Sequence, residues 1–156
     1  MRWSGRAKEA DLRLEAVIDK KRLKHFRALA KETALINETL KTMRETVGAK
    51  TSNFSGSNGA GKSKSDGSEV EQIVERLIAL ETKYETMIFD YTEERTVIEA
   101  ALKMLKPNER AVIRLYYFDC NTWEKTAERL HYSYQHVHRL HASALQKLKG
   151  TMPNEK

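Results

Sequence analysis

The chain reads as all-α: a long antiparallel helical hairpin followed by a C-terminal three-helix unit. Three observations predict this. Apolar residues recur at helical spacing through two long segments, a polar Gly/Ser-rich stretch separates those segments, and the last third holds three shorter amphipathic segments, each opened by a residue suited to start a helix. The expected division is 1–104 for the hairpin, 105–150 for the three-helix unit and 151–156 for a tail.

The first long helix is expected over about 9–47, where Leu12, Ala16, Leu23, Phe26, Ala30, Ile36, Leu40, Met43 and Val47 form one stripe. The second, over 69–105, carries a heptad-like seam: Val70, Leu77, Tyr84, Tyr91, Ile98 and Leu105 recur every seven residues, and Glu94-Arg95 interrupts the intervening set once. Such a helix is about 55 Å long and needs a partner to be stable. The first stripe can supply it, since residues 1–47 hold twelve Lys or Arg against seven Asp or Glu, while residues 69–104 hold nine acids against four bases. Closure within one chain is the simplest reading, and a homo-oligomeric coiled coil using the same stripes is its rival.

Residues 48–68, rich in Gly, Ser, Asn and Lys, read as a flexible, solvated linker. Within it Gly56-Ser57-Asn58-Gly59-Ala60-Gly61-Lys62-Ser63 matches the Walker A pattern letter for letter. The context argues for chance. A phosphate-cradling loop needs a buried strand before it and a helix starting at its Lys-Ser, but residues 50–55 are no strand and Lys64 to Gly67 delay the helix. No nucleotide site is assigned.

In the last third, Pro107 suits the first turn of a helix whose apolar face is Val112, Leu115 and Tyr116. Thr122 caps a short helix, residues 123–130, that buries Trp123, Ala127 and Leu130 and carries Glu124 where the helix dipole favours an acid. His131 and Tyr132 turn the chain, and Ser133 caps the last helix. Val137, Leu140, Ala144, Leu145 and Leu148 are its packing face, which leaves Gln135, His138, Arg139, Ala142 and Gln146 opposite, with Tyr134 beside them. Short helix, tight turn and a basic, acid-free helix are the pattern of a helix-turn-helix DNA reader, whose last helix presents its N-terminal half to base edges. The base-reading candidates are Tyr134, Gln135, His138 and Arg139. Arg139 suits guanine and Gln135 adenine in the major groove. Thr122, Lys125, Arg129, Ser133, His136 and Lys147 are the candidates for backbone phosphates, which position a protein without specifying sequence.

The spacing Trp123-Glu124, Ala127, Leu130, Tyr132-Ser133, Val137, Arg139-Leu140-His141 and Ala144-Leu145 resembles region 4 of sigma-70-type factors, and more closely the sigma-like RinA-type transcriptional activators of Gram-positive phages and prophages. Two positions depart from the pattern: Thr126 replaces an aliphatic core residue, and His131 replaces the small or glycine-like residue of the turn, where it must accept a strained backbone. The resemblance implies a sequence-specific DNA-binding regulator, an activator of phage late or packaging genes, with RNA polymerase as a second partner.

Composition fits a small regulator, with a net charge of +6 and 32% charged residues. No apolar run approaches the ~20 residues of a membrane span, and the N-terminus has no signal-like core, so a location in the cytoplasm of a bacterial host is expected. The single cysteine, Cys120, excludes an intramolecular disulfide and a cysteine-rich zinc site. His131, His136, His138 and His141 crowd the motif, but only His138 and His141 have a spacing that brings them together, and no acid or Cys completes a ligand set; His141 is expected to be packed and hydrogen-bonded. No catalytic constellation and no cofactor fingerprint are found. Two rival readings are a small-terminase-like DNA-packaging protein, which also joins a helix-turn-helix to an oligomerising helical region, and a protein-interaction module without DNA binding.

Overall fold

The structure, a computed structural model, describes residues 17–55 and 64–150, and every regular element among them is helical. The elements are α1 (Lys20–Ser55), α2 (Lys64–Leu102), α3 (Pro107–Ile113) continued by a π-helical turn (Arg114–Phe118), α4 (Trp123–Leu130) and α5 (Tyr134–Lys149). The all-α architecture is the expected one; several boundaries are not.

α1 starts at Lys20 because Asp19 caps it, with Oδ1 accepting the Arg22 N–H at 2.7 Å and its carbonyl accepting that of Leu23 at 3.1 Å. Residues 17–19 are therefore outside the helix expected from residue 9, and Leu12 and Ala16 of the predicted stripe lie outside the described residues. At its other end α1 runs on to Ser55, through residues read above as linker. The hydroxyls that made this segment look like a loop are used inside the helix: Thr51 Oγ1 donates to the Val47 carbonyl at 2.9 Å and Ser52 Oγ to that of Ala49 at 3.0 Å, so neither competes for a turn. α2 likewise begins at Lys64 rather than 69. The Walker A-like Gly56 to Ser63 lies outside the described residues. A helix starts directly after it, contrary to the delay expected, but the segment before it is also helix, where a phosphate-binding loop requires a strand.

The described residues fall into two compact units, one within Lys31–Asp90 and one made of those before and after it. In the Lys31–Asp90 unit, α1 and α2 run antiparallel within one chain. Basic residues of the first meet acids of the second, as Arg44 with Glu81 at 2.7 Å and Lys50 with Glu69; one pair, Glu32 with Lys83 at 3.4 Å, has the opposite sense. These exposed pairs set register more than stability. Thr33, Ile36, Leu40 and Met87 are the buried residues described there.

The other unit holds the main core. Ile18, Leu23 and Phe26 are buried with Ile98, Leu102, Leu105, Ile113, Tyr117, Ala144 and Leu148. The interruption of the seam at Glu94-Arg95 has a use here. Glu94 takes a bidentate pair from Arg22, with Nη2 to Oε2 at 2.9 Å, and Arg95 turns outward to Glu99. α2 stops at Leu102, short of the expected 105, and Lys103–Leu105 descend through a turn. The Arg110 guanidinium closes that end by donating to the carbonyls of Leu102, Lys103 and Leu105 at 3.1–3.2 Å, a cation at the negative end of a helix.

Candidate nucleic-acid interface

α3 was expected to face the core with Val112, Leu115 and Tyr116. The buried residues are instead Val112, Ile113 and Tyr117, with Leu115 and Tyr116 half-buried. A π turn follows, closed by Asp119 N–H to the Arg114 carbonyl at 3.0 Å, and beyond it Asn121 N–H reaches the Leu115 carbonyl at 3.1 Å. The wider spacing of the turn rotates the following side chains relative to a regular helix. Tyr117 enters the main core, while Tyr116 stacks on Trp123 with centroids 3.6 Å apart and planes within 13°.

α4 and α5 form as their caps dictate. Thr122 Oγ1 accepts the Lys125 N–H and Ser133 Oγ that of His136, both at 3.2 Å. Between the helices His131 adopts φ 54, ψ 40, the strained left-handed turn expected of it. Thr126 does not open the core. It is fully buried, and its hydroxyl donates to the Thr122 carbonyl at 2.8 Å. Val112, Ala127 and Val137 make the small second core under Trp123, Leu130, Tyr132 and Leu140.

On α5 the residues facing away from both cores are Gln135, Arg139, Ala142, Gln146 and Lys149, all exposed. At 100° per residue they fall within a narrow stripe running the length of the helix. Tyr134, 48% exposed, flanks its start. The stripe contains no acid.

His138 does not join that stripe. Its ring lies between Trp123 (4.6 Å) and Tyr134 (4.4 Å), and its Nε2 is buried with no hydrogen-bond partner among the described residues. The large flat surface of Trp123 draws the imidazole inward, so His138 packs where base contact was expected. A series of ring contacts results, from Arg27 over the Tyr116 ring at 4.0 Å through the stacked Trp123 and the tilted His138 to Tyr134.

Among the phosphate candidates, Lys125 is exposed, Arg129 is exposed with Asp119 at 3.7 Å, and His136 is half-buried with its ring edge-on to Tyr132. Thr122 and Ser133 spend their oxygen lone pairs as caps and keep a hydroxyl proton to donate. Lys147 is diverted. Its Nζ meets Glu109 Oε1 at 2.6 Å, and the same carboxylate, only 3% exposed, accepts from Ser143 Oγ at 2.7 Å and the Lys106 N–H at 3.0 Å. Burial pushes the Glu109 carboxyl upward, but the hydrogen bonds from Lys147, Ser143 and Lys106 outweigh it and hold it below the ordinary value. Lys147 therefore ties α5 to α3. Sequence reasoning missed Glu109, whose only local signal is its place three residues after the α3 cap, where an acid can accept the cap's N–H.

His141 is packed and hydrogen-bonded, as expected. Burial lowers its pKa to about 4, helped by the charges of Lys20 and His138, and burial raises Tyr117 to about 12. Both are neutral near pH 7. No group of three or more metal-binding side chains is found among the described residues, and no described helix is long and apolar enough to cross a membrane.

No curated protein and no solved structure matches the chain. Residues 101–150, which span the end of α2, the π turn, both capped helices and the exposed stripe, match the family model described as Sigma-70, region 4. The C-terminal segment is thus a sigma-70 region 4-like helix-turn-helix of the DNA-binding type.

Proposed function

We propose that the protein is a sequence-specific DNA-binding transcriptional regulator that lays α5 in the major groove and reads bases with Gln135 and Arg139, flanked by Tyr134. The single observation carrying this is the acid-free exposed stripe of α5 on a region 4-like helix-turn-helix. Lys125 and Arg129 on α4 supply phosphate contacts. The resemblance to RinA-type activators supports a narrower reading, activation of late genes in a phage or prophage with contact to RNA polymerase. The exposed Leu35, Ile78 and Phe89 of the Lys31–Asp90 unit favour a protein partner there, either polymerase or a second copy of the chain.

The test is binding to promoter-proximal duplex from the gene's own neighbourhood against a scrambled duplex. Wild type is expected to prefer the first, and Q135A/R139A to bind both equally with residual salt-sensitive affinity. Absence of any DNA binding by the wild type sinks the reading and leaves a protein-interaction role.

A further inference from the structure

The stripe on α5 does not end at its polar middle. Its last member, Lys149, lines an open groove of about 380 Å³ together with Asp19, Lys20, Lys21 and Lys24 from the start of α1. Four lysines thus converge from segments more than a hundred residues apart in sequence. None of the four is paired with a carboxylate among the described residues. The one acid lining the groove, Asp19, uses Oδ1 to cap α1. The first turn of α1 carries no acid, so three of the lysines crowd the positive end of a helix dipole, where Asp19 is the one acid lining the groove.

We propose that Lys20, Lys21, Lys24 and Lys149 form a second contact to the DNA backbone, separate from the helix-turn-helix, so that one exposed line along α5 reads bases at its N-terminal end and reaches phosphates at its C-terminal end. The proposal rests on the DNA-binding reading. Geometry favours a duplex over a small anion. The groove is open, and Lys149 follows Gln135 by fourteen residues, about 21 Å along the helix axis, so a ligand that touches both ends of the stripe must be at least that long, as a duplex is and a small anion is not. Three of the four lysines lie outside the segment matching sigma-70 region 4, so the contact belongs to this chain's own N-terminal segment.

The experiment is a salt titration of full-length protein on the promoter-proximal and scrambled duplexes. It compares wild type, K20Q/K21Q/K24Q/K149Q, the smaller K24Q/K149Q, and a charge-matched control, K31Q/K41Q, at exposed positions elsewhere. Each lost phosphate contact reduces the log–log salt slope by about 0.9, so the quadruple variant should lose about 3 to 4 units of slope, and the affinity drop between about 50 and about 200 mM salt should shrink roughly 100-fold. K24Q/K149Q should lose about half of that, and K31Q/K41Q none, while the preference for one duplex persists in all. If the quadruple variant does not fold, the two double variants carry the comparison. A slope unchanged in K24Q/K149Q, or changed equally in K31Q/K41Q, overturns the second contact while leaving the helix-turn-helix reading intact. A wild type that does not bind DNA overturns both.

Discussion

Tyr117 Oη and His141 Nε2 lie 2.9 Å apart inside the core, between the π turn and α5. With both groups neutral they share one hydrogen bond, whose direction follows the imidazole tautomer. Unfolding returns the imidazole from a pKa of about 4 to its ordinary 6.5. Between these values the unfolded chain binds more protons, so stability is complete above pH 6.5 and falls as pH drops toward 4, by on the order of 3 kcal/mol. Urea denaturation across that range should show the slope, and H141Q should flatten it. Y117F, which leaves the buried imidazole nitrogen without its partner, should cost about 1 to 2 kcal/mol at pH 7.

Glu109 and Lys147 make an asymmetric pair, since the carboxylate is buried and the ammonium partly reaches water. K147M should therefore cost more at pH 7 than E109Q, about 2 kcal/mol against about 1, because it leaves a buried charge behind. The Glu109 pKa is depressed, so its contribution is present above the ordinary carboxylate value and is lost as pH falls through the lower folded value. The K147M deficit should accordingly shrink in acid, where the bare carboxyl takes up a proton. Equal costs for the two variants at pH 7 would refute this assignment.

His131 holds a left-handed backbone without a glycine's freedom. H131G should stabilise the protein by about 0.5 to 1 kcal/mol, and H131V should destabilise it by at least as much. Thermal melting decides this, and a melting temperature lowered by H131G would mean that the imidazole contributes more than its backbone costs.

Arg27 donates through Nη2 to the Asn121 carbonyl at 2.9 Å, and its guanidinium covers the Tyr116 ring. R27A should cost about 1 to 2 kcal/mol. R27K should recover little, because an ammonium lacks the planar fork that reaches the carbonyl while stacking on a ring. Full recovery in R27K would reduce the contact to simple charge.

The helix-turn-helix was legible because its signals are local. Thr122 and Ser133 sit where caps belong, Val137, Ala144 and Leu148 repeat at helical spacing, and the left-handed turn at His131 follows from its place between two helices. What escaped depends on partners distant in sequence or on hydrogen bonds invisible to composition. Nothing near Leu23 or Phe26 in sequence says that they join Tyr117 and Leu148. The π turn has no residue signature in Arg114 to Phe118, and Ile113 and Tyr117 rather than Leu115 and Tyr116 join Val112 in the interior. Thr51 and Ser52 looked like loop formers, yet their hydroxyls bond backward along α1. His138 projected onto the open face, and the breadth of Trp123 drew it in.

The wall formed by Ile18, Leu23 and Phe26 bears on how small a working fragment can be. A peptide cut at residues 101–150 would keep every letter of the family pattern and lose one side of its own interior, leaving Ile113, Tyr117, Ala144 and Leu148 facing water where the first helix had stood. A minimal reader excised from this protein must carry residues 18–27 with it, on a tether long enough to fold back, or be redesigned with polar residues on that bare side.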